Sequence, residues 1–344
     1  MLPYIFFYLI ILFVGLWNTK KINFKYGVLF FTVFIFSAFR FDVGYDYENY
    51  YRIVSNLAFT DYTQFELISK YIAKFSNYID FTQLFFIVTS YVIIYSVHYV
   101  LKNYSKDYFL SLLIFISIPY FYFMSFSIIR QYCAIAIVFY GIKYIFQRKF
   151  FFYVATVIVA SLFHYSAIVA VVIYFLNRIS LNRVTSIALI ISSFFVTSVL
   201  LDVIVQIPRY ASYADYNTGT GTSMQVFLLS MSVVFILFFD AFKSIEARFY
   251  YTVFIVGACM YSAFILMGEA AARISYYFII YLILLIPELR YKFKKKQFYL
   301  AVILFSILMY AITFYLSYTN PYKNHLVPYQ VFWFKDDKNL KSVK

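Results

Sequence analysis

Apolar residues run along this chain in blocks about as long as a membrane span, with the polar residues gathered between them. A helix crossing a hydrocarbon core of about 30 Å needs about 20 predominantly apolar residues. Blocks of this kind predict spans near 2–17, 26–39, 82–101, 108–124, 127–146, 150–163, 165–177, 184–203, 224–241, 249–267, 274–289 and 298–318. The alternating patterns of about ten residues that a β-barrel needs are missing, and lipid offers the backbone no partner outside its own helix. The expected fold is all-α: a polytopic integral membrane helical bundle of about 11–12 membrane segments, forming a single transmembrane domain over residues 1–344. The first block, "LPYIFFYLIILFVGLW", lacks a basic leader and a small-residue cleavage site, so it is expected to be a retained span.

Composition agrees with the pattern: 64% of residues are hydrophobic and 13% charged, far from a soluble domain. The net charge of +14 does not call for nucleic acid, because the bases sit in short clusters between spans, as cytoplasmic loops require. Placing Lys20, Lys21 and Lys25 inside puts the N-terminus outside, together with residues 40–80. Lys102, Lys106, Arg148 and Lys149 then fall inside. Residues 150–177 decide the rest. As one span they would put the basic run "RYKFKKK" (Arg290–Lys296) outside, whereas a hairpin turning at "LFHYSA" (Leu162–Ala167) returns it to the inside with Arg178, Arg183, Lys243 and Arg248. Two arms of about 13 residues reach only about 20 Å, so the hairpin is expected to stop within the membrane, its tip in a cavity. Outer loops are then expected near 40–80 and 204–223, with an outer tail over 319–344. Cys133 and Cys259 lie in apolar runs and His98, His164 and His325 are well separated, so neither a disulfide framework, a metal site nor a cofactor is expected.

The topology gathers unusual polar residues on the outer side. "FRFDVGYDYENYYRIV" (Phe39–Val54) follows a span with two arginines, three acids and four tyrosines. Taken alone, Arg40 reads as a snorkelling arginine above an aromatic belt. Arg130 starts a second span and needs an anionic partner, Asp46 or Glu269. Glu269 and Arg273 are four apart and on a helix would share a face. His164 sits at the hairpin tip, where an interior hydrogen-bonded role competes with a chemical one. Ionisable groups beside spans line a cavity or pair with one another. Arginines from three distant parts of the chain suit phosphate, since a guanidinium donates two parallel hydrogen bonds and keeps its proton. A neutral imidazole takes a proton from a hydroxyl. Phosphate and hydroxyl together suggest transfer from a diphosphate-activated donor. Tyrosines beside Arg40 (Tyr47, Tyr50) and in "PRYASYADYNTGTGTS" (Tyr213, Tyr216) are candidate platforms for sugar rings.

The ordered motifs "RFDVGYDYENYYRIV", "SIIRQYCAIAI", "SLFHYSAIVA", "EAAARISYYF" and "PYQVF" resemble those of the EpsG family of Wzy-type bacterial polysaccharide polymerases, over most of the chain. The family's opening motif maps onto Arg40, Gly44, Asp46, Tyr47 and Tyr50. Its later elements map onto Arg130 and Gln131, onto Phe163, His164, Ser166 and Ala167, and onto Arg273 and Tyr277. Tyr45 departs from the small residue that members often carry there. The resemblance implies polymerisation of polyprenyl-diphosphate-linked oligosaccharide repeat units into O-antigen, capsule or exopolysaccharide, at the outer face of the bacterial cytoplasmic membrane. Arg40, Arg130 and Arg273 are then expected to bind the diphosphate, His164 or Asp46 to act as catalytic base, and Tyr47, Tyr50, Tyr213, Tyr216 and Glu269 to contact sugar. Expected partners are the lipid-linked oligosaccharide, membrane lipid, and a chain-length regulator or other polysaccharide-assembly proteins. A flippase for the same lipid-linked sugar competes, but 8 Gly and 6 Pro and no visible repeat argue against broken helices in two halves. A glycan ligase remains an alternative.

Overall fold

The computed structural model describes residues 1–55, 65–205, 221–265, 268–319 and 325–334. Helices account for nearly all of its regular structure: α1 (Leu2–Leu16), α2 (Ile22–Ala38), α3 (Tyr47–Ser55), α4 (Leu67–Tyr78), α5 (Gln83–Tyr104) and α6 (Tyr108–Ser117) open the chain. They are followed by α7 (Ile129–Phe146), α8 (Phe150–Ser161) and α9 (Tyr165–Leu176, opening in 3-10 turns). The remainder is α10 (Arg183–Val205), α11 (Thr222–Leu237), α12 (Ile245–Phe264), α13 (Arg273–Lys292, mixing α and 3-10 turns) and α14 (Lys295–Thr319). Among the described residues, α5, α7, α13 and α14 are long and apolar enough to cross a membrane. The all-α, multi-pass membrane architecture expected from the apolar pattern is found.

Contacts divide the chain into two compact units, Met1–Lys143 with Ala155–Tyr165 and Tyr299–Lys344, and Tyr144–Val154 with Ser166–Phe298. In the first unit α5 packs on α2, α4 and α7, and α1 packs on α2. All ten residues of α6 are buried, which suits a helix that is apolar on every side. Its Asp107 accepts a hydrogen bond from Leu110 N at 3.1 Å and so caps the helix. The expected span 108–124 is shorter than predicted. Pro119 forces Ile118 into an extended conformation, and the chain reverses through turns as far as Ser127. The segment 40–80 also differs from a plain loop, since it carries the amphipathic helices α3 and α4.

In the second unit α12 packs on α10, α11 and α13. The base of the predicted hairpin lies in this unit: the Tyr153 hydroxyl donates to Ala170 O at 2.7 Å, and the Phe150 ring meets Tyr174 and Phe175 at 5.0 and 5.7 Å. Arms of about 12 residues rise about 18 Å, or about 21 Å where the second opens in 3-10 turns, too little to span the hydrocarbon core.

The tail returns to the opening motif within the first unit. Strand β1 (Arg40–Phe41) pairs antiparallel with β2 (Gln330–Val331), Arg40 opposite Val331 and Phe41 opposite Gln330. Phe332 N donates to Phe39 O at 2.9 Å and the Tyr329 hydroxyl to Phe36 O at 2.8 Å.

Candidate functional site

The loop after α2 is built around Arg40 and Gly44. Arg40 is 1% exposed. Its Nη1 donates to Ser37 O at 2.5 Å, its Nε donates to Val43 O at 3.2 Å, and the guanidinium lies 4.3 Å from the Phe126 ring centroid. Burial pushes it down to about 10, still protonated at neutral pH. Gly44 has φ +110°, and a Cβ there would stand 2.4 Å from Phe126 O. Glycine is required on both counts. Gly44 N donates to His325 O at 2.6 Å and Tyr45 N to Ser127 Oγ at 3.0 Å, fastening the opening motif to the tail and to the start of α7. The Tyr45 side chain is exposed, so its bulk needs no room inside. Gln83, at the start of α5, closes the loop from below by donating Nε2 to Ala38 O at 2.6 Å and to Arg40 O at 3.2 Å.

A second cluster centres on Glu66. Arg130 donates Nη1 to Glu66 Oε2 at 2.5 Å, while His164 Nδ1 lies 2.8 Å from Oε1. Glu66 is thus an anionic partner of Arg130 beside the two, Asp46 and Glu269, expected from the sequence. Glu66 occupies the N-cap position of α4 without capping it, since its carboxylate is used by the other two groups. Backbone fastening brings the hairpin tip to this helix end: Ile68 N donates to Leu162 O at 3.0 Å and Ser69 Oγ to Phe163 O at 3.4 Å. Burial works to raise the Glu66 carboxyl, but the His164 hydrogen bond and the Arg130 charge outweigh it and hold it below its ordinary value. An ionised carboxylate only accepts hydrogen bonds, so Nδ1 of His164 carries the proton toward Glu66. That tautomer leaves Nε2 as the basic nitrogen. The Glu66 side chain is 5% exposed, against 20% for Arg130 and 31% for His164. The carboxylate thus lies beneath two reachable polar groups.

Tyr50 joins this cluster, and Tyr47 does not. The Tyr50 hydroxyl receives Arg130 Nε at 3.4 Å, and its ring packs on Phe65 and Phe85. Burial raises the Tyr50 phenol and nearby Asp46 adds to that, with Arg130 opposing. Tyr47 is fully buried, stacked 4.3 Å from Phe86, with its hydroxyl donating to Gln83 Oε1 at 3.3 Å. It packs the loop and presents no face to a sugar. Asp46 is half-buried, and its carbonyl accepts from Tyr50 N at 3.0 Å, which starts α3.

The second unit holds the late motif. Arg273 begins α13, and the Tyr277 hydroxyl lies 3.0 Å from Ser166 Oγ, linking the serine of the hairpin element to the arginine-tyrosine element. Glu269 opens a helical turn (Glu269–Ala272), but its side chain is outside the described part, and Tyr213 and Tyr216 lie outside the described residues. Among the described residues no group of three or more His, Cys, Asp or Glu is placed to hold a metal ion.

Glu66 and Gln83 escaped the sequence reading. Both stand next to aromatic or apolar residues at the mouth of a helix, "FEL" and "TQLFF", and a polar residue so placed without being a preferred cap was the signal. No curated protein sequence and no solved structure matches this chain. The EpsG family model matches residues 23–331, a stretch that takes in the Arg40 loop, the Glu66 cluster, the hairpin and β2, and the chain belongs to the EpsG family.

Proposed function

We propose that this membrane protein, linked by its family to exopolysaccharide biosynthesis, polymerises polyprenyl-diphosphate-linked oligosaccharide repeat units at the outer face of the cytoplasmic membrane. The observation that carries the reading is the Glu66–His164 pair beside Arg130. Nε2 of His164 takes the proton of an acceptor sugar hydroxyl. The hydroxyl oxygen forms the new bond to the anomeric carbon of the donor unit, whose bond to the diphosphate breaks with its electron pair leaving on the diphosphate oxygen. Glu66 holds the imidazole in the required tautomer and balances the charge it acquires, as carboxylates do in related dyads. Arg130 meets the charge that grows on the leaving diphosphate, the electrostatic contribution that is often the largest. Asp46 orients the acceptor.

Arg40 has a different role in this proposal. Its guanidinium is enclosed by carbonyls and rings, so it shapes the Val43–Asp46 turn and holds Asp46 and Tyr50 in place without touching substrate.

The test is a reconstituted protein supplied with a lipid-linked repeat unit. Wild type is expected to give long chains. Arg130→Ala and His164→Gln are expected to accumulate single units, with turnover reduced by about 10²–10⁴-fold for the histidine. Long polymer from well-folded samples of both variants overturns the assignment. Movement of the unit across the bilayer without lengthening would identify a flippase, and transfer to a different acceptor a ligase.

A further inference from the structure

We infer that the second unit carries a binding site for an anionic phospholipid at the end of the hairpin opposite its tip. A cavity of about 420 Å³ lies there, lined by Ile145, Arg148, Tyr174, Asn177 and Arg178. Three observations in and around it point to one kind of occupant.

Arg148 occupies a position where a side chain is a liability. Lys149 N donates to Tyr144 O at 2.9 Å and Arg148 N to Ile145 O at 3.0 Å, the paired bonds of a Schellman ending for α7. The residue at that point takes the left-handed conformation, and Arg148 has φ 56°, where glycine is the usual choice. The backbone gains nothing from an arginine there. What the residue supplies is a cationic residue lining the cavity, and Arg178 lines it too. Among the described residues neither makes an ion pair.

The second observation is Asn177, whose Oδ1 is shielded from solvent and has no hydrogen-bond partner. A buried acceptor in that state calls for a donor. The third is the surface beside the cavity: Phe151 is 84% exposed, Phe152 57% and Phe175 46%, an apolar face suited to acyl chains.

A glycerol-type phospholipid satisfies all three. Its phosphodiester lies between the two planar guanidinium forks, a headgroup hydroxyl donates to Asn177 Oδ1, and its chains run over the phenylalanines. A choline headgroup offers no N–H or O–H donor and carries a cation toward two arginines. Arginines serving only as topology markers would favour an anionic lipid by charge alone, and that preference would not depend on Asn177.

The experiment is native mass spectrometry of the full-length protein released from micelles doped with phosphatidylglycerol or phosphatidylcholine. Wild type is expected to retain phosphatidylglycerol about tenfold better than phosphatidylcholine, and the Arg148→Gly/Arg178→Gln variant is expected to lose that preference. Glycine suits φ 56°, so the double variant should keep the fold, which its thermal melting checks. Asn177→Ala is expected to reduce the preference with both arginines in place. Equal retention of the two lipids by wild type, or undiminished preference in the double variant or in Asn177→Ala, overturns the site. Stabilisation by free glycerol 1-phosphate equal to that by the lipid also overturns it, in favour of a water-soluble phosphate ligand. Polymer length is not read, so the outcome is independent of the proposed reaction.

Discussion

Glu66 ties together a helix start, a hairpin tip and the first turn of a membrane helix, and its charge state sets how firmly they hold. Removing Arg130 leaves this carboxylate buried without its strongest cation, a loss of about 3–5 kcal/mol when one partner of a buried pair is deleted. Thermal unfolding in detergent should therefore show Arg130→Gln melting below wild type, and Glu66→Gln/Arg130→Gln recovering part of the difference. Strictly additive effects would show that the pair is not coupled. The same carboxyl makes a pH prediction. Its folded value lies below the unfolded value of about 4.3, so its stabilisation is complete above that pH and is lost as pH falls through the folded value. Between about pH 5 and 3 wild type should lose melting temperature faster than Glu66→Gln, and parallel curves would refute the coupling. Gly44→Ala combines a left-handed backbone with a contact against Phe126 O, and is expected to cost about 1–3 kcal/mol or to abolish accumulation of folded protein. Arg40, Arg130 and His164 were legible in the sequence because charge beside an apolar run is conspicuous. The separate fates of Arg40 and Arg130 were not. Arg130 and Glu66 are 64 positions apart and His164 and Glu66 are 98 apart, and no local pattern records a meeting of that kind.

Helices were easier to read than sites because lipid leaves the backbone so few alternatives. An apolar run in hydrocarbon has to satisfy its own amides, so α1, α2, α5, α10 and α14 begin and end within a few residues of the apolar blocks. The hairpin was legible for a different reason, since only a reversal near Leu162–Ala167 reconciles the basic clusters. What failed was the stretch after α6. "SIPYFYFMSFS" is uncharged and mostly apolar, yet it turns instead of continuing, with Tyr122 N donating back to Phe115 O at 3.2 Å. Pro119 signals that break, and hydrophobicity concealed it. The α3 and α4 helices were missed because they are amphipathic and short, lying in a segment judged only by its charges. At this scale the hairpin offers a direct test. Tyr153 is fully buried, and its hydroxyl sets the register of α8 on α9. Tyr153→Phe is expected to lower stability by about 1 kcal/mol with no change in helix content, measured by denaturation of the purified protein. A neutral result would mean that ring packing alone sets the register.

The tail raises the one point where charge and structure pull in different directions within the first unit. Its lysines would draw it to the basic side, yet residues 325–334 are hydrogen-bonded to the far ends of α1 and α2. The Tyr4 hydroxyl donates to Leu326 O, and Tyr310 donates to Tyr4 O at 2.9 Å, so the start of α1 and the latter part of α14 meet at that end. At the opposite end Lys25 reaches the last carbonyls of α1, donating to Gly15 O at 2.5 Å and Trp17 O at 3.1 Å, and the Tyr299 hydroxyl donates to Asp107. The first unit therefore has a basic end with Lys20, Lys21, Lys25, Lys102 and Lys106, and an end where the opening motif and the tail are paired. By the positive-inside rule the basic end is expected to face the cytoplasm. Single cysteines test this, because Cys133 is buried and Cys259→Ser removes the other native thiol. Tyr45→Cys and Trp333→Cys, at exposed positions, should react with a membrane-impermeant maleimide on intact cells, and Asn18→Cys only after permeabilisation. Labelling of Tyr45→Cys without Trp333→Cys would contradict the β1–β2 pairing. Labelling of Asn18→Cys alone would invert the protein and place the Glu66 cluster on the cytoplasmic side, where an outer-face polymerase could not use it.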